Sequence, residues 1–230
     1  MTGDGTAAAD VTVAGRVLRV DFRSPAEPVL AGGPAYLEVV ISLLAGDPTR
    51  LVAGSARATG RSREYSFSAE TPAGTPLRDP FAGAVEIGGV QTAVPVAPDA
   101  PALEHVLLNQ FLTLEALRDA VPDGETADIV VRCSRTLALD GEATDDVPAA
   151  TAEHRLPLRR DDAALADTYR RAAADIMATH QFTAERERLL LELTTARNDL
   201  AAEPLSTLTE HPDAQVSARA AHALEALRGR

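Results

Sequence analysis

Five histidines are the side chains of this chain best suited to metal binding or proton transfer, and the sequence scatters them. No H-E-x-x-H pair occurs, and no second cysteine accompanies Cys133 to complete a zinc site. The two histidines nearest the C-terminus are eleven residues apart, about three helical turns, too far to share an ion within one helix. We therefore expect surface or capping roles for His105, His154, His180, His211 and His222.

One group of acidic side chains could bind a cation. Asp119, Asp123, Glu125 and Asp128 fall in a single short segment, and oxygen ligands at such spacing suit Ca²⁺. The D-x-D-x-D-G frame of an EF-hand loop is missing. The sequence therefore predicts a solvated acidic loop, with a calcium site as the alternative, and no other metal or cofactor is predicted.

An enzyme built on this chain would have to assemble its site from separated segments. All 22 basic residues are arginine. The missing lysine excludes a Walker-A site, a pyridoxal Schiff base and the protein-kinase lysine. No G-x-S-x-G nucleophile frame occurs. The candidate acid–base groups that remain are Asp21, Asp79, Asp119, His105 and His154.

Composition narrows the classes of partner. The formal net charge of −12 disfavours nucleic acid and anionic membrane surfaces, because both attract a positive face. No run of eighteen apolar residues is present, which disfavours a spanning helix. The first ten residues lack the basic and apolar regions of a signal peptide, so we expect a cytoplasmic location. The exclusive use of arginine, with abundant alanine, is typical of a high-GC bacterial genome.

Short β-type runs separated by glycine and proline dominate the first 160 residues, beginning with the alternating run from Val11 to Phe22. The sequence predicts a disordered leader over 1–9 and a β-domain over 10–160. About eight strands without intervening helices favour an antiparallel β-sandwich. The turn at 122–125, leading into Ile129-Val130-Val131, resembles the entry to a strand of immunoglobulin-like domains, which implies an immunoglobulin-like sandwich.

A helical period begins after Arg160, and it predicts a small four-helix region over 161–230. Asp161 or Asp162 can cap the first helix, Thr183 the second, and Pro204 suits the first turn of the third. The apolar face of the first helix repeats at i, i+4, i+7 and i+11. Its members are Leu165, Tyr169, Ala172 and Ile176.

The segment from about 203 to 228 resembles a HEAT-type repeat, as found in small bacterial HEAT-like domains. A short helix ends near His211-Pro212-Asp213. A second helix then carries a valine, two small residues three positions apart and a leucine. Ser217 stands where HEAT-type repeats usually have arginine. The resemblance implies a surface for protein partners, and an alanine-rich amphipathic hairpin is the alternative. Its candidate residues are Val216, Ala220, Ala223, Leu224 and Leu227.

These features predict a non-catalytic interaction, adaptor or structural-assembly protein that binds another protein or a second copy of itself. One alternative is an enzyme with an Asp/Glu/His site assembled from separated loops. Another is a small-ligand-binding β-sandwich. The aromatic content of 3%, without tryptophan, disfavours a sugar site, which depends on stacking rings.

Overall fold

Strands occupy the N-terminal part of the chain and helices the C-terminal part. The computed structural model describes residues 6–25, 27–53, 62, 64–71, 73–77, 92–110, 117–118, 121–141, 147–179, 181–196 and 198–228. The last strand ends at Arg159 and the first long helix begins at Asp162. The predicted α+β organisation in two parts is therefore confirmed.

Eleven strands lie in the described residues. They are β1 (Thr6–Val13), β2 (Arg16–Arg23), β3 (Val29–Leu30), β4 (Tyr36–Ala45), β5 (Thr49–Ala53), β6 (Tyr65–Glu70), β7 (Pro76–Leu77), β8 (Thr92–Val96), β9 (Ala102–Leu107), β10 (Thr126–Thr136) and β11 (Ala149–Arg159). Sheet A has the order β1-β2-β4-β9, and sheet B has the order β3-β11-β10-β6-β7. The strands β5 and β8 pair as a separate ribbon.

Alternation of side chains sets the two faces of each sheet. On β2, Leu18, Val20 and Phe22 are buried, and on β10, Ile129 and Val131 are buried. The inner faces of sheets A and B contribute to one apolar core, which continues into the helices. The core is aliphatic, as a chain with so few aromatic residues requires.

Three predictions about the N-terminal part need correction. In the described residues the strands number eleven rather than about eight, and they form three separate sheets, in one of which β3 pairs with β11 in parallel. The run from Val11 to Phe22 is a hairpin, because Ala14 and Gly15 both have positive φ, 45° and 77°. That two-residue turn matches the twist of antiparallel strands. Residues 6–9, expected in a disordered leader, belong to β1.

Four α-helices follow, as predicted. They are α1 (Asp162–Ala178), α2 (Ala184–Thr194), α3 (Ala202–Leu208) and α4 (Ala214–Arg228). Asp161 accepts a hydrogen bond from the amide of Ala164 at 2.9 Å, and Thr183 accepts one from Arg186 at 3.1 Å, so two predicted caps are confirmed. The predicted apolar face of α1 is buried. None of the helices described is long and apolar enough to cross a membrane.

The helices pack directly on the strands. A Cβ atom added to Gly33 would lie 3.2 Å from Cδ1 of Leu165 and 3.1 Å from the side chain of Leu30, so the chain approaches α1 closely here. The hydroxyl of Tyr169 on α1 donates to the carbonyl of Gly32 at 2.7 Å. The helical part therefore rests on the segment between β3 and β4.

Candidate functional site

A charged cluster lies inside the β-region, where sequence reasoning predicted none. Arg135 follows Ile129, Val131 and Cys133 on the inward face of β10, and its side chain is fully buried. Nη2 lies 2.8 Å from Oε1 of Glu104 on β9, and Nε lies 3.0 Å from Oε2. This two-point contact joins sheet B to sheet A through a strong, directional ion pair.

The remaining polar groups of this cluster are also engaged. Nη2 of Arg135 donates to the carbonyl of Val52 at 2.9 Å, which connects the β5–β8 ribbon. Tyr65 donates to Glu104, and the Arg135 guanidinium carbon lies 5.3 Å from the centroid of the Tyr65 ring. Burial raises the pKa of Tyr65, and Glu104 holds the pKa of Arg135 above its ordinary value despite burial. Tyr65 and Arg135 therefore stay protonated at neutral pH, and the cluster acts as a structural connection.

A second polar cluster joins sheet A to α2. The hydroxyl of Tyr36 donates to Oε1 of Glu192 at 2.7 Å, and Arg188 pairs with the same carboxylate. The side-chain amide of Asn109 donates to the backbone carbonyl of Glu192 at 3.4 Å. Glu192 is nearly fully buried, so Tyr36 and Arg188 compensate for the loss of water around its charge. The cluster fixes the position of α2.

The third polar cluster connects α2 to α4. Nη2 of Arg186 lies 2.9 Å from Oδ2 of Asp213, and Oδ1 of Asp213 accepts from the amide of Gln215 at 2.9 Å. Hydrogen bonds from the α4 backbone, foremost that of Gln215, and the Arg186 charge hold the pKa of Asp213 below its usual range. Nδ1 of His211 accepts from the Asp213 amide at 3.0 Å. His211 is thus a buried turn residue, so of the two roles expected of it, surface or capping, the surface role is wrong.

The candidate calcium ligands have other roles where the structure describes them. Asp123 accepts from the amide of Asp162 at 3.2 Å, so it contributes to the N-terminus of α1. Asp128 faces solvent on β10, opposite Pro157, while Asp119 lies outside the described residues. Within the described part of the chain, no three His, Cys, Asp or Glu side chains form a group able to hold a metal ion.

The groups proposed for an enzyme site do not converge where they are described. Asp21 and His105 lie on the outward face of sheet A, which the register of the strands shows. His154 faces the core, with its ring centroid 6.1 Å from that of Phe22. Asp79 and Asp119 fall outside the described residues, as does His180.

The helical surface predicted to bind a partner is internal. Val216, Ala220, Ala223 and Leu224 are buried, and Leu227 is partly buried against the same core. These side chains face the neighbouring helices, because α4 packs on α3 and α2. Side chains that the chain itself covers cannot form an exposed docking surface, so a surface for partners must lie elsewhere.

The outward face of sheet A carries exposed apolar side chains. The side chain of Leu103 on β9 is 54% exposed and that of Leu44 on β4 is 50% exposed. Leu103 pairs in register with Val40, and Val40 with Asp21 on β2. We use the name outer face for the outward side chains of this sheet. They are Ala8, Asp10, Thr12, Val17, Arg19, Asp21, Arg23, Tyr36, Glu38, Val40, Ser42, Leu44, Leu103, His105 and Leu107. At one end Leu107 is buried and Tyr36 reaches Glu192 of α2, so the exposed part of this face begins at Glu38 and His105.

Charge on the outer face is nearly balanced. It carries three carboxylates and two arginines, a net charge of −1 with neutral histidine, against −12 for the whole chain. Arg19 lies 2.9 Å from Asp10, and Arg23 lies 2.7 Å from Glu38. The pKa of Arg19 is raised by its hydrogen bond to Asp10. Two of the three carboxylates on this face, Asp10 and Glu38, are thus paired with arginine.

Sequence reasoning missed this face because each strand was considered alone. The spacing of apolar residues over 103–117 fits the period of a helix as well as that of a strand. It therefore does not show that Leu103 points outward. The useful signal was alternation, since Glu38, Val40 and Ser42 share one face of β4. No protein-family model matches the chain, and no curated protein matches it.

Proposed function

We propose that the protein is a non-catalytic interaction protein and that the outer face of sheet A binds its partner. The observation that carries the proposal is the pair of half-exposed leucines, Leu44 and Leu103, on the same face of sheet A. Exposed apolar side chains rimmed by polar ones are typical of protein contact sites. The buried pair of Arg135 and Glu104 supplies rigid support behind this face.

A rigid support matters because binding costs less when the surface is already ordered. Arg135 and Glu104 tie the sheets together behind β9, and Tyr36 ties β4 to α2. Strand β9 is therefore held from the inner side by Glu104, and β4 is held from the outward side, where Tyr36 meets α2. The surface needs no rearrangement before it receives a partner.

The family resemblances remain proposals beside this one. Support for an immunoglobulin-like sandwich comes from the shared core of sheets A and B and from the contact between Phe22 and His154. Support for a HEAT-type repeat comes from the hairpin of α3 and α4, in which Asp213 caps α4 and Val216 points inward. Both resemblances favour a binding protein over an enzyme.

Photo-crosslinking in cells that produce the protein tests the proposed function. A photoreactive amino acid replaces Leu103 in one variant and Val147, an exposed valine before β11, in the control. We expect position 103 to form a discrete protein adduct that position 147 does not form. Absence of any adduct at 103, or identical adducts at both positions, would overturn the proposal.

A further inference from the structure

We propose that the partner on the outer face is a basic protein segment, which places an arginine or lysine against Asp21 and apolar side chains against Val40 and Leu103. This inference rests on the proposed function and names the chemistry of its partner. It depends on where Asp21 lies and on which charges the chain itself offers to that carboxylate.

Asp21 lies in the middle of the outer face. In the register of sheet A it pairs with Ala8 on one side and with Val40 on the other, and Val40 pairs with Leu103. These four residues form one row across the four strands, and Asp21 is the charged member of that row. Neighbouring strands lie about 4.8 Å apart, so Leu103 is roughly 10 Å from Asp21. A partner that covers Leu103 and Val40 therefore covers Asp21 as well.

No ion pair engages Asp21 within the described part of the chain. Arg19 and Arg23 flank it along β2, but both guanidinium groups turn to other carboxylates. Arg19 lies 2.9 Å from Asp10, and Arg23 lies 2.7 Å from Glu38. Asp21 contributes less than Asp10 to the raised pKa of Arg19. The chain thus leaves the negative charge of Asp21 without a counter-ion in contact.

The count of charges shows that another pairing within the face would not change this result. Three carboxylates share two arginines, so one carboxylate is always left over. The imidazole of His105 lies 4.0 Å from Glu38, which Arg23 already pairs. It lies two strands away from Asp21. A counter-ion for Asp21 must therefore come from the partner.

Binding removes water from Asp21, and this sets the sign of the partner's charge. A carboxylate that loses its water without a hydrogen-bond donor strongly opposes binding. Ala8 and Val40, its neighbours across the strands, have no side-chain donor. A guanidinium or ammonium group above Asp21 replaces the lost water with a charge-assisted hydrogen bond. A neutral or acidic surface cannot do so.

The charge of the whole chain favours the same kind of partner. A net charge of −12 attracts basic surfaces and repels acidic ones before contact. A second copy of this chain carries the same negative charge and is disfavoured for that reason. Long-range attraction and the local need of Asp21 therefore both select a basic segment with apolar side chains beside its cation.

A photo-crosslinking titration tests this inference. The purified full chain, with the photoreactive amino acid at position 103, is added in increasing amounts to lysate of the cells that produce it, and the half-saturating concentration for adduct formation reports affinity. Asp21→Asn keeps the shape of the side chain and removes its charge. Asp128→Asn removes the same charge from the outward face of sheet B. We expect Asp21→Asn to raise the half-saturating concentration at least about tenfold, and Asp128→Asn to leave it unchanged.

The possible results separate this inference from the proposed function. If Asp21→Asn forms the same adduct at the wild-type concentration, with the variant folded by circular dichroism, the inference is wrong and the proposed function stands. An equal rise for both variants also overturns the inference, because attraction by net charge then explains binding without a cation on Asp21. If the chain with native Asp21 forms no adduct at position 103, the proposed function fails and the inference fails with it.

Discussion

Arg135 is the residue on which the packing of the β-region most depends. Its guanidinium is fully buried and reaches Glu104 on sheet A and the carbonyl of Val52 on the ribbon. Three separate sheets thus meet at one side chain. A buried charge of this kind is tolerated only when its partners are in place.

Removal of Glu104 is expected to destabilise the fold more than removal of Arg135. The variant Glu104→Leu leaves a fully buried guanidinium without its counter-ion, which costs about 3–5 kcal/mol. The variant Arg135→Met instead leaves Glu104, which is 15% exposed and can approach water. Urea unfolding followed by circular dichroism measures both free energies of unfolding.

Arg132→Met provides the matched control on the same strand. Arg132 pairs with Glu153 at 2.8 Å, but both side chains are more than half exposed. Exposed ion pairs contribute about 0–1 kcal/mol to stability, so we expect little change in the free energy of unfolding. If Glu104→Leu lowers the free energy of unfolding by no more than the control does, the buried pair does not support the fold.

Arg135 also shows what a single sequence can indicate at the scale of one residue. It stands in phase with Ile129, Val131 and Cys133, so alternation alone indicates an inward position, although sequence reasoning did not use that signal. The sequence could not name its partner, because Glu104 lies 31 residues away on another sheet. The predicted helical surface was placed wrongly for a related reason, since the docking of α4 on its neighbours depends on long-range packing.

At the scale of elements, helices were predicted better than strands. The helical period of apolar residues and the helix caps depend only on residues close together in the sequence. Asp161 and Thr183 both cap the helices assigned to them. The N-terminal half of strand β11 is hard to recognise in the sequence, because small inward residues such as Ala150 and Ala152 hide its alternation. The hairpin after Val13 was missed because Ala14 carries no signal for a positive φ.

The contact between β4 and α2 allows a prediction at this scale. Tyr36→Phe removes the hydrogen bond to Glu192 and leaves that buried carboxylate with Arg188 alone. We expect the free energy of unfolding to fall by about 1 kcal/mol. We also expect amide hydrogen exchange to accelerate more in α2 than in β10, because the less stable element opens locally first.

Ser134→Ala is the control for that experiment, because Ser134 makes an exposed contact with Thr151 far from α2. It should leave exchange in α2 unchanged. Equal acceleration of α2 and β10 in Tyr36→Phe would contradict the prediction and indicate that helices and sheets open as one unit.

At the scale of the whole molecule, the three tyrosines report on separate connections. Tyr65 connects the two sheets, while Tyr36 and Tyr169 connect the β-region to the helices. Burial is the largest cause that raises the pKa of each one. With no tryptophan in the chain, ultraviolet absorbance follows these phenols alone.

We expect an alkaline titration to show no tyrosine ionisation near pH 10, the ordinary pKa of the group. Folding favours the neutral phenol, so this stability is fully present below about pH 10 and declines as pH rises towards the folded-state pKa values. Ionisation should therefore coincide with unfolding observed by circular dichroism. A phenol that titrates near pH 10 while the fold persists would show that its connection is open.

The contacts of Gly32 and Tyr36 have a consequence for synthesis. Their partners, Tyr169 and Glu192, lie 137 and 156 residues further along the chain and are translated correspondingly later. Until the helical segment emerges from the ribosome, the surface on which α1 rests, including Leu30, stays uncovered. A nascent chain is thus vulnerable to misassembly in that interval, and faster emergence of residues 161–230 should improve the yield of native protein.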